Sequence, residues 1–352
     1  MSKNIAIICD YKLNPNRIGG MDRFFVAFDD KLKSENYEVK WFFLEVIYFN
    51  FYKNLNIFSA NNQNVGSFFL EYLQSNNQDI VITHFLPICD SFSKKVKQFG
   101  VKKLIAVDHN PRPFEGFAIS KIIKNKLKGV LYSQYTDCFI GVADYTKKHI
   151  LKDFGKFLKK KTTVVYNGID CEIYKIRTED NLGKFIVTSH LRPSKGIQDL
   201  IIAVSMLPFV IKEKLSIDIF GEGPMEQELK QMVIKNDVQN IFSFKGSSAE
   251  LNNIFCNYSY MIQPTYMECF SLSILESLAS NVPVITTTVG GNLEVVTDKL
   301  NGFIFEPSDI NKLSEIIEKI INDKIRIETK TNILIEQEFE LKTMVENHFK
   351  LI

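Results

Sequence analysis

Apolar runs rich in Ile, Val and Phe alternate with stretches of helical period along the whole chain. Strands that alternate with helices in this way indicate parallel sheets covered by helices on both faces. The predicted strands, in chain order, are Asn4–Cys9, Val39–Leu44, Ile80–His84, Lys103–Val107, Cys138–Val142, Thr163–Tyr166, Lys184–Thr188, Ser216–Phe220, Ile241–Phe244, Tyr260–Gln263, Val284–Thr287 and Phe303–Phe305. We therefore expect an α/β protein with two Rossmann-like, doubly wound domains in tandem.

The boundary between the two series of strands falls at a turn. Asn167-Gly168-Ile169-Asp170 follows the last strand of the first series, and Asn-Gly is a strong turn signal. The expected domains are residues 1–170 and 171–330, followed by a last helical stretch over residues 331–352. A chain of 352 residues is long enough for two domains of ordinary size.

The most informative stretch, residues 260–294, reads as strand, loop, helix, strand and glycine turn. Glu268 precedes the helix that Ser271 is suited to start, and Glu276 lies inside that helix. Open α/β sheets bind ligands at the carboxyl ends of their strands, and a helix N-terminus there attracts anions. Two carboxylates beside an anion site suit a nucleotide-sugar, which has both hydroxyls and a diphosphate. The alternative is that both are solvated surface residues.

This stretch resembles the family 4 glycosyltransferases, whose signature is Glu, seven residues, Glu, a Pro-led strand, Gly-Gly and Glu. The matching residues here are Glu268, Glu276, Pro283, Gly290, Gly291 and Glu294. Cys269 departs from the glycine that the family usually has after the first Glu. The resemblance implies the GT-B fold, with two Rossmann-like domains facing a central cleft and a final helix that crosses back to the first domain.

The resemblance also implies roles for residues of this stretch. Glu276 would hold the ribose hydroxyls of a nucleoside diphosphate sugar, and Glu268 would hold hydroxyls of the donor sugar. Backbone N–H groups at Phe270, Ser271 and Leu272 would meet the donor. The backbone at Gly246, at the end of an earlier strand, would lie against the nucleotide base.

A basic loop after the first strand of the second domain can neutralise a diphosphate leaving group. Lys195 and Gly196 match the family's Lys-Gly, but His190 stands where the family has Arg. Arg192, two residues later, offers a guanidinium from a shifted position. We rank Lys195 first, Arg192 second and His190 third.

In the first domain, Gly19 and Gly20 follow the first strand and let backbone approach a phosphate closely. They match in position the family's glycine loop, which meets the donor diphosphate from across the cleft; a plain tight turn is the alternative. They do not form the GxGxxG fingerprint of a dehydrogenase. His109, at a strand end, is a candidate for orienting a sugar hydroxyl or the acceptor, with a structural histidine as the alternative. For Arg112 a surface position is favoured over contact with an anionic acceptor.

Charge is unevenly distributed. Residues 1–170 contain 25 Lys and Arg against 16 Asp and Glu, whereas the rest of the chain contains 18 against 25. Lysines cluster at residues 94–97, 121–128 and 147–161. These clusters predict peripheral contact with an anionic membrane, unless they are only solvated helix faces. No nucleic-acid motif is recognisable, so a nucleic-acid partner is not expected.

Composition indicates a cytoplasmic location, extending to the inner face of the membrane. No apolar run approaches the ~20 residues that span a bilayer, and the N-terminus reads as a strand rather than a signal peptide. The six cysteines include no CxxC, which is typical of free thiols. The five histidines show no metal-ligand spacing, so we expect neither a metal nor a cofactor.

The predicted function is that of a retaining, metal-independent glycosyltransferase of the hexosyltransferase type. It would act on a saccharide or lipid-linked acceptor in cell-surface polysaccharide or glycolipid assembly. One alternative is a nucleotide-sugar epimerase of the same fold, although the acid–base residues which that chemistry needs cannot be placed. The other is a donor-binding subunit that has lost catalysis, with His190 in place of the family's Arg as the sign of that loss.

Overall fold

The computed structural model describes residues 3–15 and 18–352, and these residues divide into two compact units. The first unit runs to Gly168 and also includes Leu341–Ile352, and the second is Ile169–Glu340. Residues 331–352 do not form one helix. They form two, and the break between them coincides with the boundary of the units at Glu340.

The first unit alternates strands and helices. Its elements are β1 (Lys3–Leu13), α1 (Gly20–Ser34), β2 (Tyr37–Val46), β3 (Ile57–Ser59), α2 (Val65–Leu73), β4 (Ile80–His84), α3 (Ser91–Gln98), β5 (Lys103–Asp108), α4 (Ile119–Tyr132), β6 (Cys138–Gly141), α5 (Asp144–Phe154), β7 (Thr162–Val164) and the last helix, Leu341–Phe349. Within the described residues its strands form one seven-stranded parallel sheet in the order β3-β2-β1-β4-β5-β6-β7. The order reverses between β1 and β4, which is where a doubly wound sheet opens a crevice.

The last helix of the chain packs on α1 through an aromatic pocket. The ring centre of His348 lies 4.8 Å from that of Phe24 and 5.8 Å from that of Phe28. At the rim, Lys31 Nζ lies 3.1 Å from a carboxylate oxygen of Glu346. A partly exposed pair of this kind contributes little, so the buried rings hold the helix in place.

The second unit repeats the same winding. Its elements are β8 (Lys184–Thr188), α6 (Ile197–Ser205), α7 (Phe209–Lys212), β9 (Ser216–Phe220), α8 (Glu226–Lys235), β10 (Phe242–Gly246), α9 (Leu251–Ile254), β11 (Tyr260–Gln263), α10 (Leu272–Ala279), β12 (Val284–Thr287), β13 (Gly302–Phe305), α11 (Ile310–Ile321) and α12 (Asn332–Glu338), so that the last helix of the first unit is α13. The described strands form a parallel sheet in the order β10-β9-β8-β11-β12-β13.

Both sheets are parallel and doubly wound, as the alternation of strands and helices predicts. Strands β4, β8, β9, β11 and β12 have the predicted bounds. The short edge strand β3 was not predicted, because its three residues follow an aromatic, Asn-rich segment with no clear strand period. Among the described residues, no helix combines the length and apolar composition needed to cross a bilayer.

Helix α4 is attached to the first unit by a narrow stripe of small and polar residues. Its buried residues are Asn125 and Gly129. A Cβ atom at Gly129 would lie 2.0 Å from the carbonyl oxygen of Phe154, the last residue of α5. Glycine is therefore required at this position by the close approach of the two helices.

We predict that Gly129→Ala destabilises the protein. In an unobstructed helix this change would stabilise by about 1 kcal/mol, because alanine is the better helix former. Here the clash with backbone should outweigh that gain, and we expect a net loss of roughly 2 kcal/mol in the free energy of unfolding. Urea denaturation followed by circular dichroism measures the change. Ser120→Ala on the exposed side of the same helix is the control, and a Gly129→Ala protein as stable as the control would refute the close approach.

Candidate functional site

An ion pair joins two loops at the carboxyl edge of the second sheet. Lys195 Nζ lies 2.7 Å from Glu268 Oε2, and the two side chains are 10% and 13% exposed. The other carboxylate oxygen, Glu268 Oε1, accepts the backbone N–H of Cys269 at 3.0 Å. Lys195 follows β8 and Glu268 follows β11, and these strands are hydrogen-bonded neighbours. The sheet order thus brings together two residues that are 73 positions apart.

The loop after β8 rests against the loop after β11. Gly196 has a left-handed φ of 68°, and a Cβ atom there would lie 1.8 Å from the carbonyl oxygen of Pro264. The Ser194 carbonyl accepts the N–H of Tyr266 at 2.8 Å and the hydroxyl of Thr265 at 3.0 Å. These contacts fix the position of Lys195 through the backbone on either side of it.

A glycine turn after β12 supports the Glu268 loop from the other side. Gly290 has a φ of 68°, and a Cβ atom there would lie 2.3 Å from the Glu268 carbonyl oxygen. The N–H of Gly291 donates to the carbonyl of Cys269 at 2.9 Å. The Gly-Gly pair therefore has a local structural reason, which is to let this turn pack directly on the acidic loop.

Helix α10 begins immediately after that loop. Ser271 is its N-cap, and its hydroxyl accepts the N–H of Ile274 at 3.4 Å and the side-chain amide of Gln263 at 2.7 Å. The first-turn N–H groups of a helix lack intrahelical partners, so this end of the helix favours an anion. Phe270 is buried against Phe339, with ring centres 5.6 Å apart.

The remaining candidates on this helix differ in exposure. Leu272 is half-buried at the first helical position. Glu276, further along, is buried with 8% of its surface exposed. A carboxylate held in this way loses most of its hydration, which is costly unless hydrogen-bond donors surround it.

His190 and Arg192 lie in the same loop as Lys195, but both are exposed. Between them, Leu191 is buried, and its N–H donates to the carbonyl of Glu222 at 2.9 Å. His190 and Arg192 thus flank an anchored residue, while Lys195 alone of the three is buried in the contact with Glu268.

Gly246 ends β10 with a φ of 70°, and its carbonyl accepts the N–H of Gly221 at 2.9 Å. Gly221 has a φ of 129°, and a Cβ atom there would lie 2.0 Å from the Ser189 carbonyl oxygen. The backbone at the carboxyl ends of β8, β9 and β10 is therefore tightly packed, which places Gly246 at the same sheet edge as the basic loop.

In the first unit, Gly19 and Gly20 start α1. The N–H of Gly19 donates to Asp22 Oδ2 at 2.8 Å, and the hydroxyls of Tyr11 and Tyr52 donate to the same carboxylate. Gly19 has a φ of −107°, and the described atom nearest to a Cβ there would be Asp22 Oδ2, at 3.7 Å. Among the described residues of the unit, none therefore requires glycine at this position. Asp22 was missed from the sequence, although its place three residues after the N-cap Gly19 is that of the acidic residue in a capping box.

His109 follows β5 and is buried. Its Nε2 lies 3.0 Å from His84 Nδ1, and its ring stacks on Phe85 with centres 4.2 Å apart. Burial lowers the pKa of His109 to about 3, so the ring is neutral at neutral pH. His109 is therefore suited to accept or donate a hydrogen bond rather than to present a positive charge.

The expectation that Arg112 lies on the surface was wrong. Arg112 is buried, with Nη2 2.8 Å from Asp108 Oδ2 and Nε 2.7 Å from Asp153 Oδ2. A guanidinium carries several donors in a fixed plane, so it can join two carboxylates and compensate both buried charges. Arg112 thereby ties the loop after β5 to helix α5.

Among residues 3–15 and 18–352, no group of three or more His, Cys, Asp or Glu side chains is arranged to hold a metal ion. Of the predicted site residues, Lys195 and Glu268 are in direct contact. His190, Arg192, Gly246, Phe270, Ser271, Leu272 and Glu276 belong to the same unit, and Gly19, Gly20 and His109 belong to the other.

Comparison with known proteins identifies what the second unit is similar to. Residues 172–337 match the family model described as "Glycosyl transferases group 1". An uncharacterized glycosyltransferase of Methanocaldococcus jannaschii is 31% identical over 211 residues, which are 58% of this chain and 57% of that protein. The poly(glycerol-phosphate) alpha-glucosyltransferase of Bacillus subtilis is 26% identical over 254 residues, or 65% of this chain and 37% of that protein. The chain thus spans less than two thirds of the length of either relative.

Among solved structures, Anabaena HepE in complex with UDP and glucose superposes with a TM-score of 0.79. The two chains are 17% identical, and the match covers 98% of each. At this identity the likeness concerns the fold. It confirms the predicted fold class, two Rossmann-like parallel-sheet domains of the GT-B kind.

The buried histidines of the first unit generate a prediction about acid stability. His348 Nδ1 donates to the Met344 carbonyl at 2.9 Å. Within the described part of the chain, His348 Nε2 and His84 Nε2 are buried without a hydrogen-bond partner. Burial lowers the pKa of His348 to about 4 and that of His84 well below its usual value.

Because these folded-state pKa values are depressed, the histidines stay neutral in the folded protein. The unfolded chain takes up protons as the pH falls below about 6.5. Stability should therefore be complete above that pH and decline toward pH 4, by about 1.4 kcal/mol per pH unit for each histidine. Urea midpoints measured between pH 7 and pH 4.5 would show this decline. His348→Phe keeps a ring in the pocket but removes one proton from those taken up on unfolding, so the free energy of unfolding should fall less steeply with falling pH. An unchanged slope would contradict the depressed pKa of His348.

Proposed function

We propose that this chain, whose residues 172–337 match the group 1 glycosyltransferases, transfers a sugar from a nucleoside diphosphate sugar to an acceptor with retention of anomeric configuration. The observation that carries the proposal is the 2.7 Å contact between Lys195 and Glu268 beside the N-terminus of α10. Three groups thus lie at one edge of the sheet. Lys195 can bind phosphate, Glu268 can bind sugar hydroxyls, and the N-terminus of α10 can bind an anion.

In the proposed complex the donor lies along this edge of the second unit. The two ribose hydroxyls donate to the carboxylate of Glu276, which lies inside α10 with 8% of its surface exposed. Hydroxyls of the donor sugar bind Glu268, and N–H groups from Phe270 to Leu272 meet the diphosphate or the sugar. The base rests on the backbone at Gly246.

Lys195 and Arg192 assist departure of the nucleoside diphosphate. The bond between the anomeric carbon and the phosphate oxygen breaks, and its electron pair goes to the phosphate. The acceptor oxygen bonds to the anomeric carbon on the same face and passes its proton to the leaving phosphate oxygen. Fixed cations near that oxygen stabilise the charge as it develops and need no rearrangement during the step.

Two observations support an acceptor in polysaccharide or glycolipid assembly. The Bacillus subtilis relative is named for glucosylation of poly(glycerol-phosphate), an anionic polymer. The first 170 residues of this chain carry the excess of Lys and Arg, which suits an anionic acceptor or an anionic membrane surface. Gly19, which no described neighbour within its unit requires to be glycine, is proposed to leave room for the donor diphosphate, and His109 to orient the acceptor.

The deciding experiment is to incubate the protein with a panel of nucleoside diphosphate sugars, uridine donors first, with and without candidate acceptors. Release of nucleoside diphosphate together with a glycosylated product supports transfer, and the anomeric proton coupling of that product reports retention. Formation of an isomeric nucleotide-sugar without acceptor would indicate an epimerase instead. Tight nucleotide binding without any turnover would indicate a donor-binding subunit.

We predict that Glu276→Gln weakens donor binding by roughly 10- to 100-fold, because a charged acceptor of two hydrogen bonds becomes a neutral one. Isothermal titration with the nucleoside diphosphate measures the loss. Glu226→Gln, at the start of α8, removes a partly exposed carboxylate as the matched control and should leave affinity unchanged. Equal affinity in the two variants would remove Glu276 from the donor site.

We predict that Lys195→Gln lowers the turnover number by roughly 10²- to 10³-fold, as expected for loss of a preorganised group that stabilises transition-state charge. Arg192→Gln should lower it less, because Arg192 is exposed and its charge is screened by solvent. His190→Gln should have the smallest effect. Turnover measured at saturating donor separates this role from donor binding. A larger effect at Arg192 than at Lys195 would reverse the ranking.

A further inference from the structure

Helix α4 presents apolar side chains to solvent. Its large apolar residues with more than half of their surface exposed are Ile119 (77%), Ile123 (56%), Leu127 (58%), Val130 (65%) and Leu131 (55%). The residues it buries are Asn125 and Gly129. A surface helix of a globular domain normally turns its apolar stripe toward the core. Helix α4 has the reverse orientation, with its apolar side toward solvent.

The exposed apolar residues form one continuous surface. With 3.6 residues per turn, these five positions fall within about a third of the circumference of the helix. Asn125 and Gly129 lie outside that arc, on the side that contacts α5. The arc is therefore a face left uncovered by its own unit rather than a set of scattered exposed residues.

Lysines border this face. Lys126 lies at one edge of the arc, and Lys124 and Lys128 lie beyond the other. The helix contains four lysines and no Asp or Glu. Lysine stems can lie along an apolar layer while the ammonium groups reach outward to charge, which is the arrangement of a helix in a membrane interface.

The surroundings of α4 have the same character. Phe114, in the loop before the helix, is 64% exposed. Phe157 is 61% exposed and lies in the basic segment Lys156–Lys161, directly after α5, the helix on which α4 packs. Exposed aromatic rings among lysines are typical of surfaces that meet lipid headgroups.

We propose that the exposed face of α4 binds an anionic lipid bilayer, with the five apolar side chains inserted among the acyl chains and the lysines at the headgroup phosphates. A second copy of the chain is a poorer occupant, because two identical α4 faces would oppose lysines to lysines with no acidic residue between them. A nucleic acid would match the lysines but not the apolar face. The inference rests on the proposed function and extends it, since a bilayer bound by α4 would hold a lipid-linked acceptor next to the enzyme.

The test uses the full chain and sedimentation with vesicles of phosphatidylcholine alone or mixed with phosphatidylglycerol. We expect binding to the anionic vesicles and little to the neutral ones. Ile123→Gln, Leu127→Gln and Val130→Gln, combined in one variant, should weaken binding by at least roughly tenfold, because each replaced side chain loses its transfer into the bilayer. Glutamine keeps helix propensity, so the helix should persist.

The control is a variant with three exposed apolar side chains replaced in the second unit: Phe209→Gln, Val210→Gln and Ile234→Gln. It should bind vesicles like the wild type. Equal binding by the α4 variant and the control, or no binding of the wild type to anionic vesicles, would overturn the proposal. So would a change in sedimentation coefficient of the α4 variant without lipid, because that would make α4 a contact between copies.

Vesicle binding and sugar transfer are measured separately. The α4 variant should retain wild-type release of nucleoside diphosphate from a donor, since no α4 residue is placed in the donor site. If no donor is turned over by any form of the protein, the proposed function fails while the vesicle result still decides the lipid-binding face.

Discussion

The contact between Lys195 and Glu268 depends on two places where backbone meets backbone too closely for any side chain. Gly196 approaches the Pro264 carbonyl, and Gly290 approaches the Glu268 carbonyl. Both glycines have left-handed φ values that other residues rarely adopt. A largely buried ion pair loses hydration on both partners and regains it only when geometry is good, so such a pair is weak evidence for stability. Under the proposed function, the backbone contacts around this pair are explained by the need to hold both side chains in place until the donor binds.

Under the proposed function, the Lys195–Glu268 ion pair is the arrangement before the donor binds, and donor binding separates the two side chains. Lys195 is neutralised by Glu268 in the structure, and an arriving diphosphate brings more negative charge than the carboxylate. If Lys195 turns to the phosphate, Glu268 becomes available to the sugar hydroxyls. One exchange of partners would then prepare both ends of the donor, and neither charge would be left buried alone during it.

The strands could be predicted from sequence because each buried strand is a continuous apolar run ended by Pro, Gly or a polar residue. From the sequence, Lys195 and Glu268 could be placed at the same edge of the second sheet, since both follow strands that end there. Their direct contact could not be predicted. Burial of Arg112 could not be predicted because, although Asp108 is close in sequence, its other partner, Asp153, is 41 positions away. The cluster of His84, His109 and His348 was equally hidden, since a contact between distant residues leaves no periodicity in either segment.

Helices α1 and α4 show what periodicity can and cannot decide. Both have an apolar side, but Phe24, Phe25 and Phe28 of α1 are fully buried, two of them against His348 of the last helix. In α4, Gly129 and Asn125 face the unit, and the apolar side is left outside. A hydrophobic pattern identifies a face that avoids water, whereas only the packing shows whether the protein itself covers that face. In the sequence of α4, Gly129 was the residue that indicated which side packs against the protein. A glycine inside a helix lowers stability relative to alanine, so its presence there suggests a close contact with another backbone.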